Sequence, residues 1–479
     1  MPSKGVQCYT YIAVPGCTIE LSVPGQTVVK KDLRTFWNAD LEVDAKNIRN
    51  LFDKTGRFSF KVLRNGELIM EQWIEVNALT GRLGDGTMRA IANTPSVLHG
   101  GDLIVSYGFY AAGNGEAGLP NRHQCYVTVS PDNSDWMAAV APPGSSIEAQ
   151  PLGRMVLPSA HDVGMNSMQN ADAVLQHAGG AVISKLIPNN DAVRAIIDAV
   201  SGPAIALIAP NIVFSLAITQ KDSLETMLRL GARYFEFRPA HCHRDVLPAL
   251  PIPDELYFQH GAVPGMAYRL FLAGLVAFLA AHPAEIVVVQ LRWDGVPDEC
   301  ARPSAADLRD YLAAALATTT TIPPLAAGGI DDLRAGASTI AQLRRAGRRL
   351  VVLDGGAVDP LSTYTDAGNA TVTGDSIVDG FARALQRPGA VEGRVLVELQ
   401  CQATASNVPG AVAYSVLSAG ASTSCLLATK ALCDAKTLPW VRDNVLAACG
   451  REALVVVMND FLDGATADVA IGLCGQRLK

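Results

Sequence analysis

The chain has 479 residues, with 39 Lys and Arg against 46 Asp and Glu and a formal net charge of −7, a balance that argues against nonspecific nucleic-acid binding. Charged residues make up 18% and hydrophobic ones 49%, which excludes a disordered chain, and the length allows two or three domains with full cores.

Met1-Pro2-Ser3-Lys4-Gly5 is followed by polar and turn residues without the apolar stretch of a secretory signal, so the chain is expected to be cytoplasmic or secreted with its signal removed. Short segments rich in β-branched and aromatic residues follow, at 57–63, 68–76, 102–107 and 124–129. Turn signals such as Arg64-Asn65-Gly66-Glu67 separate them. Regular short strands predict an antiparallel β-sandwich over residues 1–141. The Pro142-Pro143-Gly144-Ser145-Ser146 stretch opens a linker expected to run over 142–154.

From residue 155 to 479 apolar runs alternate with helical patterns. Strands are expected at 155–159, 234–238, 256–260, 286–292, 350–354, 395–400 and 454–459, with one more, ambiguous, between Asp354 and Val395. Helices are expected at 222–230, 266–282, 305–317, 376–386 and 440–448. That alternation predicts a parallel sheet, and its length fits a (β/α)8 barrel of TIM type, regular or distorted. The clean apolar run Leu270 to Ala281 is shorter than the roughly 20 residues a membrane span needs, and reads as a barrel helix. Residues 192–218 are apolar but broken by Gly202-Pro203 and Pro210-Asn211. They are expected either as a lid or lipid-contacting rim, or as ordinary packed helices. Ten cysteines show no CxxC pair and no zinc spacing; five fall after residue 400, which permits disulfides without establishing them.

Two histidines carry the chemistry. His161 lies in Leu157-Pro158-Ser159-Ala160-His161-Asp162-Val163-Gly164 and His260 in Tyr257-Phe258-Gln259-His260-Gly261. Between them comes Ala232-Arg233-Tyr234-Phe235-Glu236-Phe237-Arg238-Pro239. Splitting an anionic phosphodiester needs a base, an acid and fixed positive charge. Two imidazoles and a guanidinium supply them, since histidine titrates near neutrality and arginine grips two phosphate oxygens. Asp162 is placed to orient either histidine. Glu236 is read as positioning Arg238. His241 and His243 are read as loop histidines near the mouth more readily than as metal ligands.

These motifs resemble the bacterial-type phosphatidylinositol-specific phospholipase C family. The likeness rests on Ser159-Ala160-His161-Asp162-Val163, on Gly231 to Arg238, on His260-Gly261 and on the run His282-Pro283-Ala284-Glu285-Ile286-Val287. It spans Leu157 to Trp293, thins beyond, and is absent before about Pro142.

The resemblance implies His161 as general base, His260 as general acid assisted by Asp162, and Arg238 neutralising the phosphate. Asp460 is implied as the residue orienting His161, and Arg292 as a basic group near the phosphate. Substrate hydroxyls would fall to polar residues of later strands, for which Asp354 and Tyr364 are candidates beside Glu236. The expected substrate is a phosphoinositide or related phosphodiester, opened by its own neighbouring hydroxyl to a cyclic phosphate, with transient contact to a membrane surface and no nucleic-acid partner.

No metal or other cofactor is expected, because calcium-dependent relatives place a carboxylate where Arg238 stands. A guanidinium two residues from Glu236 on one strand face also repels a divalent cation. The alternatives are a metal-dependent glycerophosphodiesterase and a catalytically lapsed module binding lipid or glycan.

Overall fold

The computed structural model describes residues 3–50, 52–88, 94–177, 186, 202–334, 338–356, 358–387, 389–417 and 424–479. The N-terminal strands are β1 (Gly5–Ile12), β2 (Cys17–Val23), β3 (Gln26–Lys30), β4 (Trp37–Glu42), β5 (Thr55–Arg64), β6 (Glu67–Asn77), β7 (Leu83–Gly86), β8 (Val97–His99), β9 (Leu103–Tyr110) and β10 (His123–Pro131). They form two five-stranded sheets, β4-β1-β10-β9-β8 and β3-β2-β5-β6-β7. Alternating burial along β2 reflects one covered and one wet face. The two sheets share a core in which Phe60 and Tyr107 meet at 5.2 Å between ring centroids. One pairing departs from the expected antiparallel sandwich: β1 runs parallel to β10. The first and last strands of this unit lie side by side, and only a crossover can join parallel neighbours.

The second half carries β11 (Val156–Ala160), β12 (Tyr234–Phe237), β13 (Pro239–Ala240), β14 (Tyr257–His260), β15 (Val263–Ala267), β16 (Val287–Leu291), β17 (Ala327–Gly328), β18 (Leu350–Leu353), β19 (Leu361–Ser362), β20 (Leu396–Gln400) and β21 (Leu454–Asn459). Eight of them form one sheet in the order β17-β18-β16-β12-β11-β21-β20-β19, parallel throughout. The first strand, β11, lies beside the last, β21, so chain order wraps round the sheet as it does in a barrel. The two-residue strands β17 and β19 are its edges, and no ladder joins them among the described residues. The barrel is therefore distorted and open along one seam.

The strand bearing His260 is a correction to the sequence reading. β14 is not a stave of the parallel sheet; it pairs antiparallel with β13 and β15. The chain continues past Arg238 as β13, and Gly261, at φ +60°, turns the β14–β15 hairpin. β14 thus has a strand on each side within this small sheet, and neither neighbour is β12 or β16.

Period-two alternation sorts the strand side chains. Phe235 and Phe237 face outward under the helix Tyr268–Ala281, with Phe237 stacked on Phe271 at 4.5 Å. Tyr234 and Glu236 face the other way, as do Val288 and Gln290 on the neighbouring strand. Buried polar groups thereby line the barrel beneath its mouth.

Residues 142–154 are not extended chain. They form short 3-10 turns at Ser146–Ala149 and Leu152–Arg154, with Leu152 and Gly153 buried. The preceding helix Trp136–Val140 sends Trp136 and Met137 into the barrel core. Helix Gly202–Ala217 packs against Gln169–His177 and Val408–Leu417. The part of the apolar insertion at 192–201 lies outside the described residues. No described helix is long and apolar enough to cross a membrane. All ten cysteines are free and buried.

Candidate active site

Each catalytic candidate sits where a strand ends. The ladder between β11 and β21 extends one step beyond Ala160, the His161 N–H donating to the Asn459 carbonyl at 3.0 Å. The chain then turns through Asp162 at φ +44°, a left-handed conformation that aspartate tolerates better than bulkier residues. The Asp162 N–H points at Glu236 Oε1, 3.3 Å away. Asp460, directly after β21, bonds His161 Nδ1 through Oδ1 at 2.7 Å. With Nδ1 occupied, the free nitrogen of His161 is Nε2, which faces Asp162 and Glu236.

Asp162 is the hub. Its Oδ2 lies 3.8 Å from His161 Nε2 and 3.5 Å from His260 Nε2, while Oδ1 is 2.9 Å from Arg238 Nη2. Glu236 forms a second hub: Oε1 is 3.7 Å from His161 Nε2 and 3.5 Å from Arg238 Nη2, and Oε2 accepts from Arg292 Nη1 at 2.8 Å. Asp294 clasps Arg292 at 2.9 and 3.1 Å. Below them Glu398, wholly buried, accepts from the Tyr234 hydroxyl at 2.8 Å and lies 3.6 Å from Arg292.

Burial is graded: the side chains of Asp162 and Glu236 are 1% exposed, those of Arg238, His161 and His260 12%, 17% and 22%. The acids form a floor and the cationic or titratable groups a rim. An anion approaching from solvent meets the rim first.

Charge sets the protonation states. Burial disfavours a charged His161 ring, but Asp162, Asp460 and Glu236 outweigh it and raise the group to about 9. For His260 burial prevails, helped by Arg238 and His161 against Asp162, and lowers it. The resting proton thus belongs to His161. Asp162, despite burial, is held well below the usual carboxylate range by Arg238 and the two imidazoles. Glu236 is raised by burial against the pull of Arg292 and Arg238, and Glu398 to about 6, again by burial.

Among the described residues, His161, Asp162 and Glu236 offer three donor atoms within 4.8 Å of one another, enough to hold a cation. Arg238 occupies two of those carboxylates. A divalent ion there has to displace the guanidinium or sit against it.

Tyr364 lies within electrostatic reach of Asp162, and burial followed by its bond to Asp366 pushes the phenol up to about 12. Asp354 stays apart: its carboxylate turns onto the Gly356 N–H at 3.3 Å. The loop it opens nevertheless passes close to Arg292, since a Cβ on Gly355 would sit 2.4 Å from the Leu291 carbonyl oxygen. His241 pairs with Asp254 on the surface and His243 lies near Asp245, so the two histidines do not share a ligand position.

Four residues outside the sequence reading belong to the site. Asp294 stands two residues after Arg292, where strand periodicity could have found it. Glu398 was hidden within an apolar strand run. Thr219 and Gln220, whose side chains bond the backbone carbonyl of His161 at 3.1 and 2.8 Å, carry no sequence signal.

No family model and no curated protein matches the chain. The comparisons show a distant structural likeness. Phosphatidylinositol-specific phospholipase C from Listeria monocytogenes is 15% identical, the match covering 71% of this chain and 98% of that one at a TM-score of 0.39. A structure of phosphatidylinositol-specific phospholipase C from Staphylococcus aureus, solved in work on its membrane binding, is 13% identical, over 71% and 97%, also at 0.39. At that distance the chemistry of the site is carried by its own residues.

Proposed function

We propose that this protein is a phosphodiesterase of phospholipase C type that needs no metal and opens an inositol-type phosphodiester by attack of the substrate's own hydroxyl. The observation that carries the reading is the shared carboxylate: His161 and His260 both turn Nε2 toward Asp162 Oδ2 while Arg238 holds Oδ1. Acid, base and cation thus converge on one carboxylate.

In this mechanism the phosphate settles on the rim beside Arg238, whose fork neutralises charge gathering on the non-bridging oxygens. His161 Nε2 takes the proton of the hydroxyl adjacent to phosphorus, with Asp460 fixing the ring through Nδ1 and balancing the imidazolium. The new P–O bond closes the cyclic phosphate and the bond to the leaving alcohol breaks. His260 delivers a proton to that oxygen. Because the resting proton sits on His161, the reactive form has one proton transferred to His260, and the Asp162 carboxylate between the rings stabilises either arrangement. Glu236 and Asp294 fix Arg292 as a second cation near the headgroup, and Tyr364 is a candidate partner for a substrate hydroxyl. A phosphoinositide at a membrane surface is the default substrate, cleaved by the barrel of residues 155–479.

A second reading draws on the donor set of His161, Asp162 and Glu236: a metal-dependent glycerophosphodiesterase. The deciding experiment compares phosphodiesters with and without a cis hydroxyl beside phosphorus, in the presence and absence of chelator. Turnover confined to the cis-hydroxyl substrates and indifferent to chelator supports the proposal. Chelator-sensitive hydrolysis of both kinds supports the metal reading, and no turnover at all points to a binding module.

A further inference from the structure

The His161–Asp460 contact joins two backbone turns of unusual conformation. Asp162 follows one partner and Phe461 the other, at φ +44° and +45°, a region that non-glycine residues occupy only where their surroundings hold them there. One dipeptide provides that hold. The Thr219 hydroxyl reaches the carbonyl oxygens of His161 and Asp162 at 3.1 and 3.2 Å, and the Thr219 carbonyl accepts the Phe461 N–H at 2.7 Å. Gln220 Nε2 donates to the carbonyls of His161 (2.8 Å) and Asn459 (3.1 Å), and its Oε1 accepts the Leu462 N–H at 2.9 Å. Both side chains are buried, so each bond replaces one that water cannot supply.

We propose that Thr219 and Gln220 are positioning residues: they clamp the His161 turn to the Asp460 turn and so keep the base histidine aligned with its carboxylate. The consequence for turnover rests on the phosphodiesterase reading, but the consequence for His161 does not. Both side chains act on backbone atoms of catalytic candidates. The apolar helix Gly202–Ala217 ends two residues before the clamp.

The charge around His161 comes from Asp460, Asp162 and Glu236, with Arg238 and His260 acting across Asp162. Lys430 acts on Asp460 from behind. Of these contacts, the 2.7 Å bond to Asp460 is the one the clamp sets. Loosening it weakens the anionic support of the imidazolium.

The test is an NMR titration of His161 in the full-length chain, with Thr219→Val, Gln220→Met and Thr219→Ser compared with the parent, alongside turnover of a soluble cis-hydroxyl phosphodiester. Thr219→Val and Gln220→Met are expected to move the His161 midpoint to lower pH. They should also cut kcat on the order of 10- to 100-fold, with KM within about twofold. Thr219→Ser, which keeps the hydroxyl, should restore both. Folded Thr219→Val and Gln220→Met proteins titrating at the parent midpoint overturn the proposal, whatever their melting temperatures. If Gln220→Met does not fold, Thr219→Val, which exchanges a hydroxyl for a methyl, decides alone. An inactive parent whose His161 midpoint still moves in the variants retires the phosphodiesterase reading and leaves the clamp standing.

Discussion

His161 and His260 approach the same oxygen, Asp162 Oδ2, at 3.8 and 3.5 Å, yet only His161 has a second carboxylate, Asp460, on its far nitrogen. The two imidazoles are therefore unequal. Their inequality generates the kinetic predictions.

His161→Ala should cut turnover of every cis-hydroxyl phosphodiester on the order of 10²- to 10⁴-fold, the loss of general base catalysis. His260→Ala should be as damaging with an alkyl leaving group but much milder with a phenolic one, which departs without a proton. Parallel assays of the two variants on both substrates check this. Equal sensitivity of the variants to the leaving group would reverse or remove the assigned roles.

The pH dependence follows from the directions of titration. In the proposed mechanism the reactive form has His161 neutral and His260 protonated, so kcat/KM should be bell-shaped, with its alkaline limb set by His161 at about 9 and its acid limb by His260 below 6.5. Asp460→Asn removes an anion that favours the imidazolium. The alkaline limb should then move down toward 6.5, narrowing the bell from that side only. A pH–rate profile of Asp460→Asn decides it.

Arg238 neutralises both Asp162 and Glu236. Arg238→Lys keeps the charge but loses the planar fork, and a loss of at least about tenfold is expected. Arg238→Ala frees the carboxylates and should create a site for Ca²⁺ or Mn²⁺ beside His161 that calorimetry detects in the variant and not in the parent. Metal binding of equal strength in the parent would favour the metal-dependent reading.

Stability has a separate anchor at the other end of the barrel. Arg233, wholly buried, bonds Glu285 at 2.7 Å and the carbonyls of Leu228, Ala232, Asn133 and Ser134. Arg233→Met leaves Glu285 buried without its cation and should cost about 3–5 kcal/mol in urea unfolding, with no shift in the pH–rate profile of the protein that remains folded.

The strand-end positions of His161, Arg238 and Asp460 were legible because each follows a short apolar run whose neighbours are supplied by the parallel sheet. His260 was legible as a residue but not in its sheet. Whether β14 joins β12 or folds back on Pro239–Ala240 depends on pairing that a single strand pattern does not encode. Asp294 was within reach of period-two reasoning from Arg292. Glu398 was not, since one acid in the run 395–400 reads like any strand whose polar side chain meets solvent, whereas here it is buried against Tyr234 and Arg292. Thr219 and Gln220 were beyond any local pattern: they act by side-chain bonds to backbone atoms, from Gln220 to Asn459 across more than two hundred residues. The parallel pairing of β1 with β10 was hidden because it joins backbone segments at opposite ends of the N-terminal unit, Val6 opposite His123.

The most direct measurement is ³¹P NMR of the products formed from phosphatidylinositol in mixed micelles with chelator present. A five-membered cyclic inositol phosphate appearing with diacylglycerol as the first product, and absent with His161→Ala, is the predicted result. An acyclic monophosphate as the first product, or activity that vanishes with chelator, would contradict a metal-free attack by the substrate's own hydroxyl.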